Sequence, residues 1–488
     1  MRKYLGEVEE RARPWHFGHI SSSSTMTRGS PARACYDAAM LSSIPLALAL
    51  LATSPEEGAP AEDVAATAVE AEPAEEHAVE EPAPADEVLV SIDWQGHPAM
   101  HVPYSFFRKG LLDRSPALRY RHALRQTVYE PYLERSGVRL FLTAAVAAEK
   151  ARNREHAREL LLEQIEYVND FVAANPERYA IGRSPAQVRQ LLRETDKIVL
   201  LHSIEGGHYV CDGPEDAAFW AEQGVVLMTL VHLLDDELGS SGIMPGALGK
   251  LINRNGAKRR RKGVRRGLTE RGKQAIVELD AAGILVDMSH MTQASLDDAL
   301  KVTAAHDITP VVTHGKLAAI RDEERSQRGD QIVEIYRQGG VFALGLSGQK
   351  LDPRKPTMAI PDDVCQGTLE MFRFHYEAIR ALISEHQEEI LGTRGPLSAA
   401  QRTRLAVGWS SDWNGWLNHS KPVYGAGRCR KKRELGDDAL EIDTRGLAHP
   451  GLLPQHWERL ERDGMDLEPM QRSAERFLQM WADARGER

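Results

Sequence analysis

Cysteine is scarce in this sequence, and the few cysteines exclude structures that depend on closely spaced ones. The 488 residues contain four of them, Cys35, Cys211, Cys365 and Cys429, which lie far apart. Such scattered positions build neither a dense disulfide framework nor the paired spacing of a zinc ribbon. A G-x-G-x-x-G turn after a predicted strand is also missing, which argues against a dinucleotide-binding fold.

Long hydrophobic runs are missing as well. The candidate nearest the N-terminus, Ala38–Met40 followed by Leu46–Ala52, is broken by polar residues and proline. It is shorter than the roughly 20 apolar residues that span a bilayer. Because Arg28 and Arg33 precede it and small residues end it, we predict that residues 1–54 are a signal segment for export to a periplasmic or extracellular location. The alternative is an apolar patch in a disordered leader.

Lysine and arginine are absent from Pro55–Glu87, which contains twelve acidic residues and is dominated by alanine, proline and glutamate. Such a segment cannot bury enough apolar surface to fold, so we predict a disordered linker. Without this linker the chain has 61 basic and 71 − 12 = 59 acidic residues, which is nearly neutral. The overall charge therefore predicts no nucleic-acid partner.

Two basic clusters depart from this neutrality, one at 258–266 and one at 428–433. Both fall in predicted loops, and we interpret them as solvated loop charge that could contact the acidic linker or anionic envelope material. Aromatic residues do not interleave with the cations, which disfavours nucleic-acid binding. Association with an envelope or membrane surface, and a homodimer, remain open.

Apolar runs alternate with helical patterns from Val88 to the C-terminus. Eight runs predict strands, several of them apolar throughout as in strands covered on both faces: 88–93, 138–146, 197–204, 225–232, 284–289, 309–313, 339–347 and 405–411. Capping hydroxyls, such as those of Thr269 and Thr292, and prolines begin several intervening helices, and glycines end some of them. Eight strands in this alternation favour an α/β fold, a (β/α)8 TIM-type barrel over 88–488, rather than a doubly wound sheet.

Five side chains that can ligate a metal come directly after separate predicted strands: His97, Glu205, His290, His314 and Asp412. A parallel barrel collects the ends of its strands on one face. Imidazoles and carboxylates that converge there suit a divalent-metal hydrolase. A single histidine near a strand end is more often a packed residue, but five such side chains at strand ends are hard to obtain by chance.

Seven motifs accompany these residues: Ile204-Glu-Gly-Gly207, Leu230-Val-His232, Gly267-Leu-Thr-Glu-Arg-Gly272, Asp287-Met-Ser-His290, Thr313-His314, Ser411-Asp-Trp-Asn-Gly415 and Gly446-Leu-Ala-His-Pro450. Their order and spacing resemble the membrane (renal) dipeptidase family of zinc peptidases. The resemblance runs from about Val88 to the C-terminus. It implies a (β/α)8 barrel, a two-zinc centre and hydrolysis of dipeptides.

The resemblance also implies roles for individual residues. Glu205 would bridge two zinc ions, and His290 and His314 would hold one of them. His97 and Asp412 belong to the site of the other zinc, and Asp412 would also move protons. His232 would contact the substrate and its tetrahedral intermediate.

The end of the first strand departs from the family pattern. The family has a His-x-Asp or His-x-His pair there, whereas this chain has Gln95 and His97. An amide oxygen is a weaker zinc ligand than an imidazole, so we expect the zinc site near Gln95 to be weak or empty unless His101 substitutes. The last motif differs too, with Asn414 where the family commonly has Asp.

These groups predict a mechanism in which two cations roughly 3.5–4 Å apart share a hydroxide that attacks the peptide carbonyl. His232 would stabilise the oxyanion, and Asp412 would pass a proton to the leaving amine. Two alternatives stay open. One is another metal-dependent amidohydrolase acting on a lactam, lactone or cyclic amide, and the other is a degenerate barrel that only binds a ligand.

Overall fold

The computed structural model describes residues 87–98, 133–147, 151–264, 266–347, 351–414, 419–424 and 435–487. The predicted leader, nearly all of the predicted linker, His101 and the second basic cluster lie outside these ranges. Glu87, the last residue of the predicted linker, is described. Its carboxylate lies 2.7 Å from Arg472 Nη1 and 2.7 Å from Thr403 Oγ1, so the barrel already holds the chain at this point.

Nine strands form one parallel sheet: β1 Ser91–Gly96, β2 Val138–Ala145, β3 Tyr179–Ile181, β4 Ile198–Glu205, β5 Val225–Thr229, β6 Leu285–Asp287, β7 Pro310–Gly315, β8 Val341–Gly345 and β9 Gly408–Ser410. Eight of them are neighbours in the order β1-β2-β4-β5-β6-β7-β8-β9. These are the eight strands predicted from the sequence, and the barrel is confirmed. The short strand β3 was not predicted, and it pairs with β4 at the side of the ring.

The helices lie mostly between successive strands: α1 Arg154–Ala174, α2 Pro185–Glu194, α3 Pro214–Glu222, α4 Ala247–Ile252, α5 Arg254–Arg261, α6 Glu270–Ala281, α7 Gln293–His306, α8 Gly329–Arg337, α9 Leu369–Glu385, α10 Gln387–Leu391, α11 Ala399–Arg404, α12 Glu441–Arg445, α13 Leu453–Arg462, α14 Glu468–Gln471 and α15 Ser473–Ala484. Thr269 and Thr292 cap α6 and α7 as the sequence indicates, because each side chain accepts a backbone N–H of the first turn. The assignment of the first basic cluster to a loop was wrong, since four of its residues end α5.

The inside of the barrel is apolar at its amino-terminal end. Alternate residues of the strands, such as Val199 and Leu201 of β4, pack in one cluster with α15. Trp94 meets Phe477 of α15 edge to face, with ring centroids 5.4 Å apart. The final helix therefore closes this end of the barrel, and polar side chains can gather at the other. Within the described residues, no helix is both long and apolar enough to cross a membrane.

The ring of strands closes between β1 and β9. The amide of Asp412 donates to the Gln95 carbonyl at 2.7 Å, and the amide of His97 donates to the Trp413 carbonyl at 2.8 Å. One extra residue of β1 lies between Asp93 and Gly96 relative to β2, which is a β-bulge. Trp94 points into the apolar interior, so regular alternation would turn Gly96 to that side. The bulge shifts this alternation and brings His97 inward instead.

Candidate metal centre

All five predicted ligands converge at the carboxyl ends of the strands. Glu205, the last residue of β4, is at their centre and is 2 % exposed. Its Oε1 lies 3.1 Å from His290 Nε2 and 3.4 Å from His314 Nε2. Its Oε2 lies 3.3 Å from His97 Nε2 and 3.4 Å from His232 Nε2. Each oxygen of one carboxylate thus faces a different pair of imidazoles, and this arrangement suits a carboxylate that is shared by two cations.

The pair formed by His290 and His314 is the tighter half of the centre. Their Nε2 atoms are 2.7 Å apart. Together with Glu205 they offer three ligand atoms within 4.8 Å of one another, all on buried residues. Two imidazoles and a carboxylate are a common zinc donor set, so these residues fit a cation.

His97 and Asp412 form the other half, with His97 Nε2 3.3 Å from Asp412 Oδ1. Nδ1 of His97 donates to the Ala144 carbonyl oxygen at 3.0 Å, which fixes the ring and leaves Nε2 directed at the centre. Burial lowers the pKa of His97, but the hydrogen bond to Asp412 and the charge of Glu205 outweigh burial and raise this pKa overall.

Gln95 lies two residues before His97, and its side chain is fully buried. Neither its Oε1 nor its Nε2 has a hydrogen-bond partner among the residues that the structure describes. Leaving such atoms unsatisfied costs on the order of 1–3 kcal/mol per group. A group that bound to this amide would remove that cost.

Two of the predicted ligands have strained backbones. His290 has φ +67° and Asp412 has φ +49°, in the left-handed region that side chains other than glycine seldom occupy. The His290 carbonyl accepts the Gly242 amide at 2.8 Å. Strain of this kind persists where the surrounding structure enforces it, and it is concentrated at functional sites.

Asp287, at the end of β6, supports the His290 and His314 half of the centre through hydrogen bonds. Its carboxylate accepts hydrogen bonds from Thr229 Oγ1 at 2.6 Å, from Ser289 Oγ at 2.7 Å and from Thr313 Oγ1 at 2.9 Å. Thr313 Oγ1 in turn lies 2.8 Å from His314 Nδ1. Because Nδ1 donates to this hydroxyl, Nε2 of His314 is left with a lone pair for a cation. Burial raises the pKa of Asp287, and these hydrogen bonds oppose that shift.

The two glycines after Glu205 are required by packing. Gly206 has φ +105°. A side-chain carbon at Gly207 would lie 2.9 Å from Leu238 Cδ1 and 3.1 Å from the Leu230 carbonyl oxygen. The glycine pair thus lets the chain turn tightly after β4 and pass the end of β5, which carries His232 two residues beyond Leu230.

A network centred on Asp235 holds the loop after His232. The buried Asp235 carboxylate is paired with Arg260 and, at 2.8 Å, with Arg259 Nη2. It also accepts the Ser241 amide at 3.1 Å. Ser241 Oγ donates to the His232 carbonyl oxygen. Part of the first basic cluster is therefore structural, because it fixes the loop that carries His232.

Arg325 is a site residue that the sequence motifs did not reveal. Its Nη1 lies 3.1 Å from His290 Nδ1. Burial lowers the pKa of Arg325, and the charges of Glu323, Asp412 and Glu205 act in the opposite direction. The sequence feature that could have indicated Arg325 is the charged run 321–325 after β7, because the loops that follow barrel strands face the site.

Lys316, two residues after His314, is a second buried cation near the site. It is 3 % exposed and paired with Glu323, whose carboxylate also lies 2.6 Å from Arg321 Nη2. Burial lowers the pKa of Lys316 well below its ordinary value. The pairing with Glu323 shows that this lysine is held within the protein and is not presented to the mouth of the barrel.

Comparison with known proteins places this chain in a family. The profile of the membrane dipeptidase family, peptidase family M19, matches residues 102–383. The dipeptidase verJ of Clonostachys rogersoniana is 24% identical over 202 residues, which cover 40% of this chain and 46% of that protein. An uncharacterized dipeptidase of Schizosaccharomyces pombe is 28% identical over 182 residues, covering 37% of this chain and 39% of the relative. The matched stretches thus span less than half of each of these curated relatives.

Two solved structures share the fold at low sequence identity. The dipeptidase AC, a metallopeptidase of family M19, has a TM-score of 0.55 at 16% identity, and the match covers 81% of this chain and 98% of that one. A metallopeptidase from Rhodobacter sphaeroides, solved with a phosphinate mimic of the dipeptide L-Ala-D-Ala, has a TM-score of 0.53 at 16% identity, covering 81% and 99%. With the family profile matching more than half of its residues, this chain belongs to the membrane dipeptidase family.

Proposed function

We propose that this protein is a zinc-dependent dipeptidase. The position of Glu205 carries the proposal, because its two oxygens face two separate imidazole pairs at 3.1 to 3.4 Å. Membership of the membrane dipeptidase family supports it. One zinc would be held by Glu205, His290 and His314, and the second by Glu205, His97 and Asp412. Bound zinc supplies a hydrolytic nucleophile at neutral pH and polarises the scissile carbonyl.

The protein's own groups perform the remaining steps. Asp412 accepts a proton from the attacking water and delivers it to the leaving amine. His232, which the Asp235 network positions next to Glu205, donates to the oxygen that becomes negative in the transition state. Arg325 binds the substrate's carboxylate, since a guanidinium beside the centre matches the free C-terminus that a dipeptide places near its scissile bond.

A ligand-binding barrel without catalysis is the second candidate, and Gln95 is the residue that favours it. Its buried amide replaces an imidazole of the family pattern and has no partner among the described residues. Metal content decides between the two functions. About two zinc ions per chain support the hydrolase, and none supports the binding protein.

Export is the proposed localisation. Two features support it: the leader-like segment 1–54, and Cys365, which is disulfide-bonded. Disulfides persist in oxidising compartments such as the periplasm and the extracellular space.

Removing either imidazole of the tighter half tests the metal site. His290→Ala and His314→Ala should each lose zinc and lower dipeptide turnover by roughly a thousandfold or more, because two protein ligands do not hold zinc firmly. Elemental analysis and a dipeptide hydrolysis assay measure both effects. His306→Ala, at the exposed end of α7, is the matched control and should retain both. Full zinc content and turnover in both site variants would show that the ligand assignment is wrong.

Gln95 tests how firmly the second metal is held. The wild type should carry one firmly bound zinc and one that a mild chelator removes, and activity should rise with added zinc, cobalt or manganese. Gln95→His should tighten the second zinc, because imidazole is the better donor. Zinc content and hydrolysis are compared for both proteins before and after chelation. Two firmly bound zinc ions in the wild type would rule out a weak site while leaving the dipeptidase proposal standing.

Arg325 tests the substrate class. Arg325→Met should raise KM for a dipeptide by roughly thirtyfold or more, with a smaller change in kcat, because a charge-assisted contact to the carboxylate is lost. Wild type and variant should hydrolyse the corresponding dipeptide amide at similar rates, since that substrate has no carboxylate to bind. Arg328→Met, which removes a surface ion pair with Asp297, is the control. An equal loss on both substrates would assign Arg325 to another role.

The mature N-terminus tests export. Mass spectrometry of the protein from its native host should find a chain that begins near residue 55 in the exported fraction, because the predicted leader is removed on translocation. A chain that retains residues 1–54 in the cytoplasmic fraction would contradict the proposal.

A further inference from the structure

The segment after the His232 loop is unusually basic. No acidic residue occurs from Leu238 to Thr269, and nine residues there are lysine or arginine. The rest of the chain outside the acidic linker has 61 − 9 = 52 basic and 59 acidic residues, so the excess of basic charge is confined to this segment. We call residues 245–264, which comprise α4, α5 and the turn after α5, the basic lobe.

The inner side of the basic lobe is anchored to the barrel. Arg259 and Arg260 pair with the buried Asp235 carboxylate, and Arg260 Nη2 also donates to the Ser241 carbonyl oxygen at 2.9 Å. Arg260 also pairs with Glu324 at 3.2 Å, so these two cations of the lobe face two carboxylates of the barrel's loops. The lobe is attached to the loop that carries His232, so it lies beside the mouth of the candidate metal centre.

The exposed residues of the lobe include its other cations and three apolar side chains. Its exposed cations are Lys250, Arg254, Lys258, Arg261 and Lys262. Leu248, Leu251 and Val264 are 52%, 69% and 48% exposed, and they are among the few large apolar residues that the described surface exposes. Solvated charge alone would not require exposed leucines, so the surface suits a partner that is both anionic and apolar.

We propose that the basic lobe binds an anionic lipid surface. Lipid phosphates would contact the exposed lysines and arginines, and the leucines would enter the boundary between headgroups and acyl chains. The acidic linker matches the charge but has almost no large apolar side chains, so the leucines would gain little from it. Nucleic acid also matches the charge, but the lobe has no aromatic residue for base stacking. Binding through this lobe would hold the mouth of the barrel close to the membrane, whatever the enzyme's substrate.

Vesicle binding by the full chain tests the proposal. The protein should co-sediment with phosphatidylglycerol-containing vesicles at low ionic strength and not with pure phosphatidylcholine vesicles, and salt should weaken the binding. The triple variant Lys258→Ser, Arg261→Ser, Lys262→Ser should bind about a hundredfold more weakly, since each cation near such a surface contributes about fivefold. Leu248→Ser with Leu251→Ser should weaken binding by about tenfold or more.

Two controls separate the lobe from general charge and from the active site. Arg394→Ser with Arg193→Ser removes exposed cations elsewhere and should leave vesicle binding almost unchanged. Hydrolysis of a soluble dipeptide without vesicles should be unaffected in the lobe variants, because none of these side chains contacts the metal centre. Failure of the full chain to bind anionic vesicles overturns the proposal. This is the result expected if the protein's own acidic linker covers the lobe. Equal binding to duplex DNA, with no effect of the leucine substitutions on either partner, also overturns it.

Discussion

The carboxylate of Glu205 is the group around which this site is arranged. A buried carboxylate is costly unless charge or hydrogen bonds compensate it. Here four imidazoles surround it at 3.1 to 3.4 Å, from the ends of β1, β5, β6 and β7. Each histidine must therefore be held in place by its own strand or loop. Ala144 holds the ring of His97, Asp287 holds that of His314 through Thr313, and the Asp235 network holds the loop that carries His232. The glycines after Glu205 allow neighbouring loops to approach without displacing it.

Much of the fold could be predicted because its signals are local. Apolar runs marked the eight barrel strands, and Thr269 and Thr292 marked helix starts within one residue. The convergence of ligands could also be predicted, because a parallel barrel brings the carboxyl ends of its strands to one face. Residues that lie directly after a strand could therefore be assigned to the site from their position in the sequence alone.

Features that depend on pairing between distant segments were not predictable. The bulge in β1 arises from its register against β2, more than forty residues away, and it determines where His97 points. The left-handed conformations of His290 and Asp412 are imposed by neighbouring loops and leave no trace in side-chain periodicity. The first basic cluster was misassigned for a similar reason. Its arginines find their partner in Asp235, and this pairing helps hold them in a helix against the barrel.

The contact between β1 and β9, where the ring of strands closes, links metal binding to the opening of the barrel. It is held where the amide of Asp412 donates to the Gln95 carbonyl and the amide of His97 donates to the Trp413 carbonyl, so two of the residues that close the ring are also proposed ligands of the second metal. A cation bound to His97 and Asp412 would tie the first strand to the last, and its binding free energy would add to the stability of the closed ring. Binding of that cation and opening of the ring between β1 and β9 would then be linked equilibria, and amide hydrogen exchange at His97 and Asp412 would report the linkage.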